Sequence, residues 1–404
     1  MSQIARASLR WIYDSRGRPT VEAAITTEQG GVGTAGAPSG ESTGATEVQA
    51  FPSGGVSEAL RRFDDELRAR LIGLPVEDQA LVDRTLHEVD GTANFSRLGG
   101  NTATAISVAG AIASAAERRQ PLWQTLLRPG LDGKAYPAIV GNCLNGGRHA
   151  IGGPEIQEYH AVAEAPKPAD AIRAALEVHR AVGTRLKAKF PHAALGRGDE
   201  GGWVAPLGNV EAVELLADAC TEVRDRLQTA VYPGLDLAAS EFYRDGHYVY
   251  REQTLDVEGQ VAFVAGLVDT YGLRYLEDPI QEADFDGFAA MTKAVGRRAL
   301  VVGDDLYTTA AARVEEGIRR HASNAVLIKV NQVGTLSDTL ATVDLARRSG
   351  WKTVTSHRSG ETPDGWLAQL AVAFGSAGLK CGLLGGERVA KLNELLRLAT
   401  PPGT

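Results

Sequence analysis

Apolar and polar positions follow two different rules along this chain. Over residues 1–130 they first alternate, so that SLRWIYD and TVEAAITTE read as strands joined by the turn SRGRP. A Gly-rich loop follows. Apolar residues then recur at helical intervals over 56–71 and 76–89, and an Ala-rich helix is predicted over about 103–119, its small residues permitting close packing. Strands followed by helices predict an α+β cap domain. From residue 134 to 404, short apolar runs instead alternate with helical stretches, the longest of them 169–190. Strand-like runs fall at 138–142, 157–163, 235–239, 273–277, 300–303, 325–330, 352–356 and 379–383. That number of strands predicts an α/β barrel of the TIM type. An open doubly wound sheet explains less well why successive runs end in ionisable residues.

At 404 residues the chain can bury a large core in two domains. A net charge of −8 argues against a general nucleic-acid binder and is compatible with a metal–carboxylate site. The 46 glycines cluster in GGVGTAGAPSGESTG, NGGRHAIGGPE and GRGDEGG, which suggests shaped loops near a ligand. Cys143, Cys220 and Cys381 fit no zinc spacing, and their odd number opposes a disulfide framework, so they are expected to be reduced. The start lacks a signal-peptide apolar region and there is no apolar run of membrane-spanning length, so a cytoplasmic enzyme is expected.

The chemistry lies at the ends of the runs. Asp236 in GLDLAAS, Glu277 in YLEDP and Asp304 in LVVGDDL make an oxygen-rich set suited to Mg²⁺. Any one alone reads as readily as a surface residue or helix cap, but three at successive strand ends do not. Lys329 in AVLIKV and Lys380 in GLKCG are costly in apolar runs unless they have partners or a function. Two ammonium groups close together near a cation are expected to lower each other's pKa, giving a usable base; a lysine snorkelling to the rim is the alternative. His357-Arg358-Ser359 suits a phosphate, with a structural Arg–carboxylate pair as the alternative. Glu200 in GRGDEGG and Gln157-Glu158 in EIQEY offer a general acid opposite a lysine base. His149 sits in the loop NGGRHAIGG.

Taken together, YDSRGRPTVE, APSGESTG, NCLNGGRHA, GDEGG, DLAASEFYRDG, LEDP, VVGDDL, IKVNQVGTLSDTL, SHRSGET and ERVAKLNELLR resemble enolase over nearly the whole chain. The resemblance implies an enolase-type barrel behind a cap domain that carries a substrate lid, and it brings the superfamily's known pairing of a Lys or His base with one or two Mg²⁺ ions. It implies that Asp236, Glu277 and Asp304 bind a first Mg²⁺, and that Ser42 in the lid helps bind a second. Lys329 would remove the proton beside the substrate carboxylate, which Lys380 would hold. Glu200, assisted by Glu158, would protonate the departing hydroxyl, with His357 lining that side. Arg358, Ser359 and His149 would hold the phosphate of a small phosphorylated hydroxy acid, and Gln157 would support the pocket. A homodimer or higher homo-oligomer is implied, with Arg10 and Glu22 at matching interface positions.

Departures from the family pattern lie in loops. SRGRPT places Arg18 where Asn is usual, the lid SGEST adds Glu41 beside Ser42, and AIGGPE after His149 differs from the usual forms. GDEGGWVAP is one residue longer than the usual form, and Gly385-Gly386 replaces an Arg-Ser pair. The usual C-terminal tail after NELLRL is also missing. Two enzyme readings follow: an ordinary enolase dehydrating 2-phosphoglycerate, or a specialised paralogue in phosphonate biosynthesis of the carboxyphosphonoenolpyruvate synthase type. A non-catalytic scaffold role is a minor third.

Overall fold

A computed structural model of the chain describes residues 2–40, 44–150 and 152–400. Three strands, β1 (Ile4–Tyr13), β2 (Pro19–Thr27) and β3 (Val32–Gly36), form an antiparallel sheet in the order β1-β2-β3. The strand pattern in β2 is clean: Val21, Ala23 and Ile25 are buried against the helix Gly100–Glu117. That helix is buried along most of its length because its side chains are small. Gly33 is required by this packing, since a Cβ there would lie 2.0 Å from the Ala109 carbonyl oxygen. The helical stretch expected at 56–71 forms, but in pieces: Gly55–Arg62, a π turn at Phe63–Leu67, then Arg68–Leu71. β3 lies inside what reads by sequence as a loop, because VGTAG carries little apolar bulk. Arg10 and Glu22 stand opposite each other in the β1–β2 register and pair within the chain, so this contact needs no second subunit.

The remainder forms a closed barrel of β4 (Ala138–Asn145), β5 (Glu158–Glu164), β6 (Ala230–Asp236), β7 (Tyr275–Glu277), β8 (Leu300–Gly303), β9 (Ala325–Ile328), β10 (Lys352–Ser356) and β11 (Gly378–Gly382), closed by pairing of β11 with β4. It is not uniformly parallel. β5 runs antiparallel to both β4 and β6. Between β4 and β5 the described residues hold only a short 3-10 turn, Gly147–His149, and without a crossover helix the chain must return antiparallel. Two long helices, Pro168–Lys189 and Asn209–Leu227, then follow β5 before β6 begins. Regular strand–helix alternation therefore fails at this one place. The barrel interior is packed, not hollow: Val140, Val162, Tyr275, Val302, Ala325, Leu327 and Val354 form a buried cluster of their own.

All three cysteines are buried and unbridged. Among the described residues no helix is long and apolar enough to cross a membrane.

Candidate active site

The barrel strands deliver ionisable residues to one mouth. Asp236 and Glu277 end β6 and β7, Asp304 follows β8, Lys329 follows β9, His357 follows β10, and Lys380 lies within β11. Glu158 opens β5 rather than closing it. Only the reversed direction of that strand brings it to the same mouth, opposite Asp236 in register. A narrow polar cleft is lined by Gln157, Glu158, Glu200, Asp236, Asp304, Lys329, His357, Arg358, Ser359 and Lys380, among others. Glu277 lies fully buried beside it and reaches the Lys380 ammonium. Ser42 and Glu41 lie outside the described residues, as does the side chain of His149.

Lys380 is the hub of one half of the cleft. Its Nζ lies 2.7 Å from Glu277 Oε1, 2.9 Å from Asp236 Oδ2 and 2.9 Å from Glu158 Oε2. In the other half, Lys329 Nζ donates to Asp304 Oδ2 at 2.5 Å, while Gln332 Nε2 donates to Asp304 Oδ1 at 2.9 Å. Gln157 is less engaged, its Nε2 standing 3.4 Å from Asp236 Oδ2.

Lys380 does disfavour the charge on Lys329, as expected, but the net shift runs the other way. Burial does disfavour each ammonium, but Asp304 more than offsets it at Lys329, and Asp236, Glu158 and Glu277 do so at Lys380. Both lysines are held above the ordinary range and are charged. The carboxylates carry the strain instead. Burial, then repulsion from Asp236, drives Glu277 well above the usual range.

Asp278 and Asp305 belong to this site too, and sequence reading passed over them. With Asp304 they place carboxylate oxygens within 4.8 Å of one another. Asp278 accepts the backbone N–H groups of Asp304 (2.9 Å) and Asp305 (2.8 Å), so it fixes the loop that carries Asp304. Burial and the neighbouring Asp304 push Asp305 up to about 8. The signal was present as the second acid of LEDP and of GDDL. Six acidic side chains line the cleft against Lys329, Arg358 and Lys380. This buried surplus of hard oxygen donors fits a divalent cation of the Mg²⁺ kind, with Asp236, Glu277 and Asp304 as candidate ligands.

Arg358 shows the alternative that its sequence left open. Its guanidinium forks onto Glu47 at 3.0 and 3.1 Å and also donates to Asn331 Oδ1 at 3.0 Å. Burial opposes its charge, but Glu47 more than compensates and raises its pKa. Glu47, just beyond the Gly-rich loop, had no distinguishing signal in the sequence. His357 Nε2 lies 2.9 Å from Glu200 Oε2, and Asn142 Nδ2 lies 3.4 Å from the same oxygen. Burial holds the His357 imidazole below its usual pKa. Gly385-Gly386 do not open the cleft; they form the first turn of the helix Gly386–Ala399.

Comparison with known proteins gives one consistent result. The family model described as the enolase N-terminal domain matches residues 4–126, and that described as the enolase C-terminal TIM barrel domain matches residues 134–402. A protein of Methanothermobacter thermautotrophicus named Enolase is 46% identical over 403 residues, covering 98% of this chain and 96% of its own. One of Methanosphaera stadtmanae with the same name is 45% identical, with 98% and 97% covered. A third, from Picrophilus torridus, is 41% identical, with 98% of each covered.

Proposed function

This chain belongs to the enolase family and is an enolase-type lyase; we propose that it dehydrates 2-phosphoglycerate to phosphoenolpyruvate with Mg²⁺, two ions per site. The observation that carries this reading is the cleft itself. A lysine poised on a carboxylate and a His–Glu pair line one acidic cavity, as proton removal at one carbon and protonation of a leaving hydroxyl at the next require.

Lys329 takes the proton from the carbon beside the substrate carboxylate, whose oxygens Lys380 holds. The C–O bond at the neighbouring carbon breaks, and Glu200, supported by Glu158 and His357, delivers a proton so that the hydroxyl leaves as water. Arg358, Ser359 and His149 hold the phosphate, and Gln157 supports the pocket. Asp236, Glu277 and Asp304 would hold Mg²⁺, with Ser42 of the lid serving a second ion, and the bound ions would supply positive charge to the substrate as its negative charge builds. At Lys329, burial, Arg358 and Lys380 favour the neutral amine that can accept a proton, and pairing with Asp304 opposes them. For a phosphate to use Arg358, the Glu47 fork must loosen or share it.

A second reading is a phosphonate-pathway paralogue joining a phosphonoformyl group to a phosphoglycerate-type substrate; Gly385 and Gly386 do not line the cleft and lend it nothing. Near-complete coverage by relatives named Enolase favours the first. The same reading takes in a homo-oligomer and a cytoplasmic location. The deciding experiment follows phosphoenolpyruvate by ultraviolet absorbance from 2-phosphoglycerate, with and without Mg²⁺. Rapid Mg²⁺-dependent turnover is expected. A folded protein that binds Mg²⁺ but gives none overturns the substrate assignment in favour of phosphonate-pathway compounds.

A further inference from the structure

The helix Gly386–Ala399 drives two cations, Arg388 and Lys391, beneath the loop that follows β10. Lys391 has a buried carboxylate to meet, Glu361 at 2.7 Å. Arg388 is different. It is fully buried, and the carboxylate beside it belongs to its own neighbour Glu387, 3.3 Å from Nε. Its two terminal nitrogens are spent on neutral acceptors. Nη1 donates to the Arg358 carbonyl at 2.5 Å, and Nη2 donates to the Ser359 carbonyl at 2.6 Å and, at 3.4 Å, to that of Asp199. Nη1 also lies 2.7 Å from Nδ1 of His357.

A guanidinium has donors and no acceptor, so His357 Nδ1 must accept. A second donor, the Gly382 backbone N–H, is aimed at the same nitrogen from 3.3 Å. A proton on Nδ1 would face both. The imidazole proton therefore sits on Nε2, which lies 2.9 Å from Glu200 Oε2, an oxygen that also receives the amide of Asn142 at 3.4 Å.

We propose that Arg388 is a positioning residue that holds His357 in its Nε2–H tautomer and through it orients the Glu200 carboxylate for proton transfer to the substrate. This rests on the function proposed above for Glu200. A simple staple for the loop would explain the carbonyl contacts but would leave the tautomer unaffected.

Full-length protein carrying ¹⁵N-histidine tests the difference. A long-range ¹H–¹⁵N correlation spectrum distinguishes the two tautomers, and the signals lost in His357→Gln identify this ring. The wild type should show His357 protonated on Nε2 alone. In Arg388→Ala the tautomers should mix, and kcat for 2-phosphoglycerate should fall about 100-fold. KM should change less than about threefold, and added guanidinium should restore both the spectrum and the rate. A wild-type ring protonated on Nδ1 overturns the proposal, as does a folded Arg388→Ala with unaltered tautomer and kcat. Should Arg388→Ala not fold, the wild-type spectrum and Arg388→Lys decide, the latter keeping the charge but lacking the fork; an unchanged tautomer and rate there overturn the proposal. If the wild type does not turn over 2-phosphoglycerate, the functional reading fails, while the tautomer spectra still judge Arg388.

Discussion

Lys329 is a lysine whose charge depends on one neighbour. Asp304 holds the ammonium against burial and against two nearby cations. Lys329→Met should lower kcat by about 10³-fold while leaving the circular dichroism spectrum that of a folded barrel. Loss of less than about tenfold in absorbance-followed turnover would remove Lys329 from the role of base. Gly382 is a second single-residue test, of how closely the loop carrying Glu200 must approach the barrel. A Cβ there would lie 2.3 Å from the Glu200 carbonyl oxygen, so the loop carrying Glu200 reaches its place only because residue 382 has no side chain. Gly382→Ala should displace Glu200 by up to about an ångström, press on Arg388 Cγ at 3.1 Å as well, and cost about 10²-fold in kcat. Undiminished kcat in a folded variant would show that the position of this loop does not control the rate.

At the scale of elements, the sequence revealed strand ends better than strand directions. Runs that end in Asp236, Glu277, Asp304 and Lys329 were legible because parallel strands buried on both faces read as unbroken apolar stretches. The reversal of β5 was not read from it, although its signal was there: the Gly-rich segment 146–157 has no room for a crossover helix. Glu158 was nominated as a carboxylate opposite a lysine base, yet only the reversal explains how a residue at the start of a strand reaches the mouth. β3 and the π turn at Phe63–Leu67 escaped because neither departs from its surroundings in apolar pattern. Glu47 and Arg388 escaped because their partners are hundreds of residues away or in another element, and a lone charged residue in a helix reads as solvent-facing. One contact between elements gives a pH test. The helix Gln79–Asp90 is tied to the helix Leu336–Arg348 by His87 Nε2 and Asp338 Oδ2 at 2.8 Å, with the His87 ring against Phe95. The hydrogen bond with Asp338 raises the His87 pKa. A raised folded-state pKa means that the contact's full contribution is present below the unfolded value of about 6.5 and is lost as pH rises through the folded one. Both side chains are partly solvent-exposed, so the contribution should be only about 0.5 kcal/mol after screening. His87→Gln should therefore lower Tm slightly at mildly acidic pH and leave it unchanged at alkaline pH. An equal loss at both, measured by thermal denaturation, would show that packing on Phe95 matters and the charge does not.

For the whole molecule, the question left by the sheet order is what covers β1. It is an edge of the three-stranded sheet, with no strand on its outer side among the described residues. Trp11 and Tyr13 project from it 55% and 60% exposed, their rings 5.5 Å apart. An open edge bearing two large aromatic rings invites pairing with another chain, and natural proteins usually cover or charge such an edge. Arg10 does charge it, but Glu22 within the same chain already neutralises that charge. A second copy of this chain, docked edge to edge or face to face here, is the covering proposed. The end of β1 also leads directly to the cleft: the Ser15 N–H donates to the Glu361 carbonyl at 2.8 Å and the Ser15 hydroxyl to the Ser359 carbonyl at 3.3 Å. A partner seated on β1 would therefore steady the loop that presents Arg358 and Ser359. Sedimentation equilibrium should find the wild type dimeric or larger at micromolar concentration, and Trp11→Glu with Tyr13→Lys should shift it to monomer without unfolding it. The monomer should keep its Mg²⁺ requirement and bind substrate more weakly, so KM should rise more than kcat falls. A wild type that sediments as a monomer, or a double variant that still associates, would mean that β1 is not the contact and that its aromatic edge tolerates water.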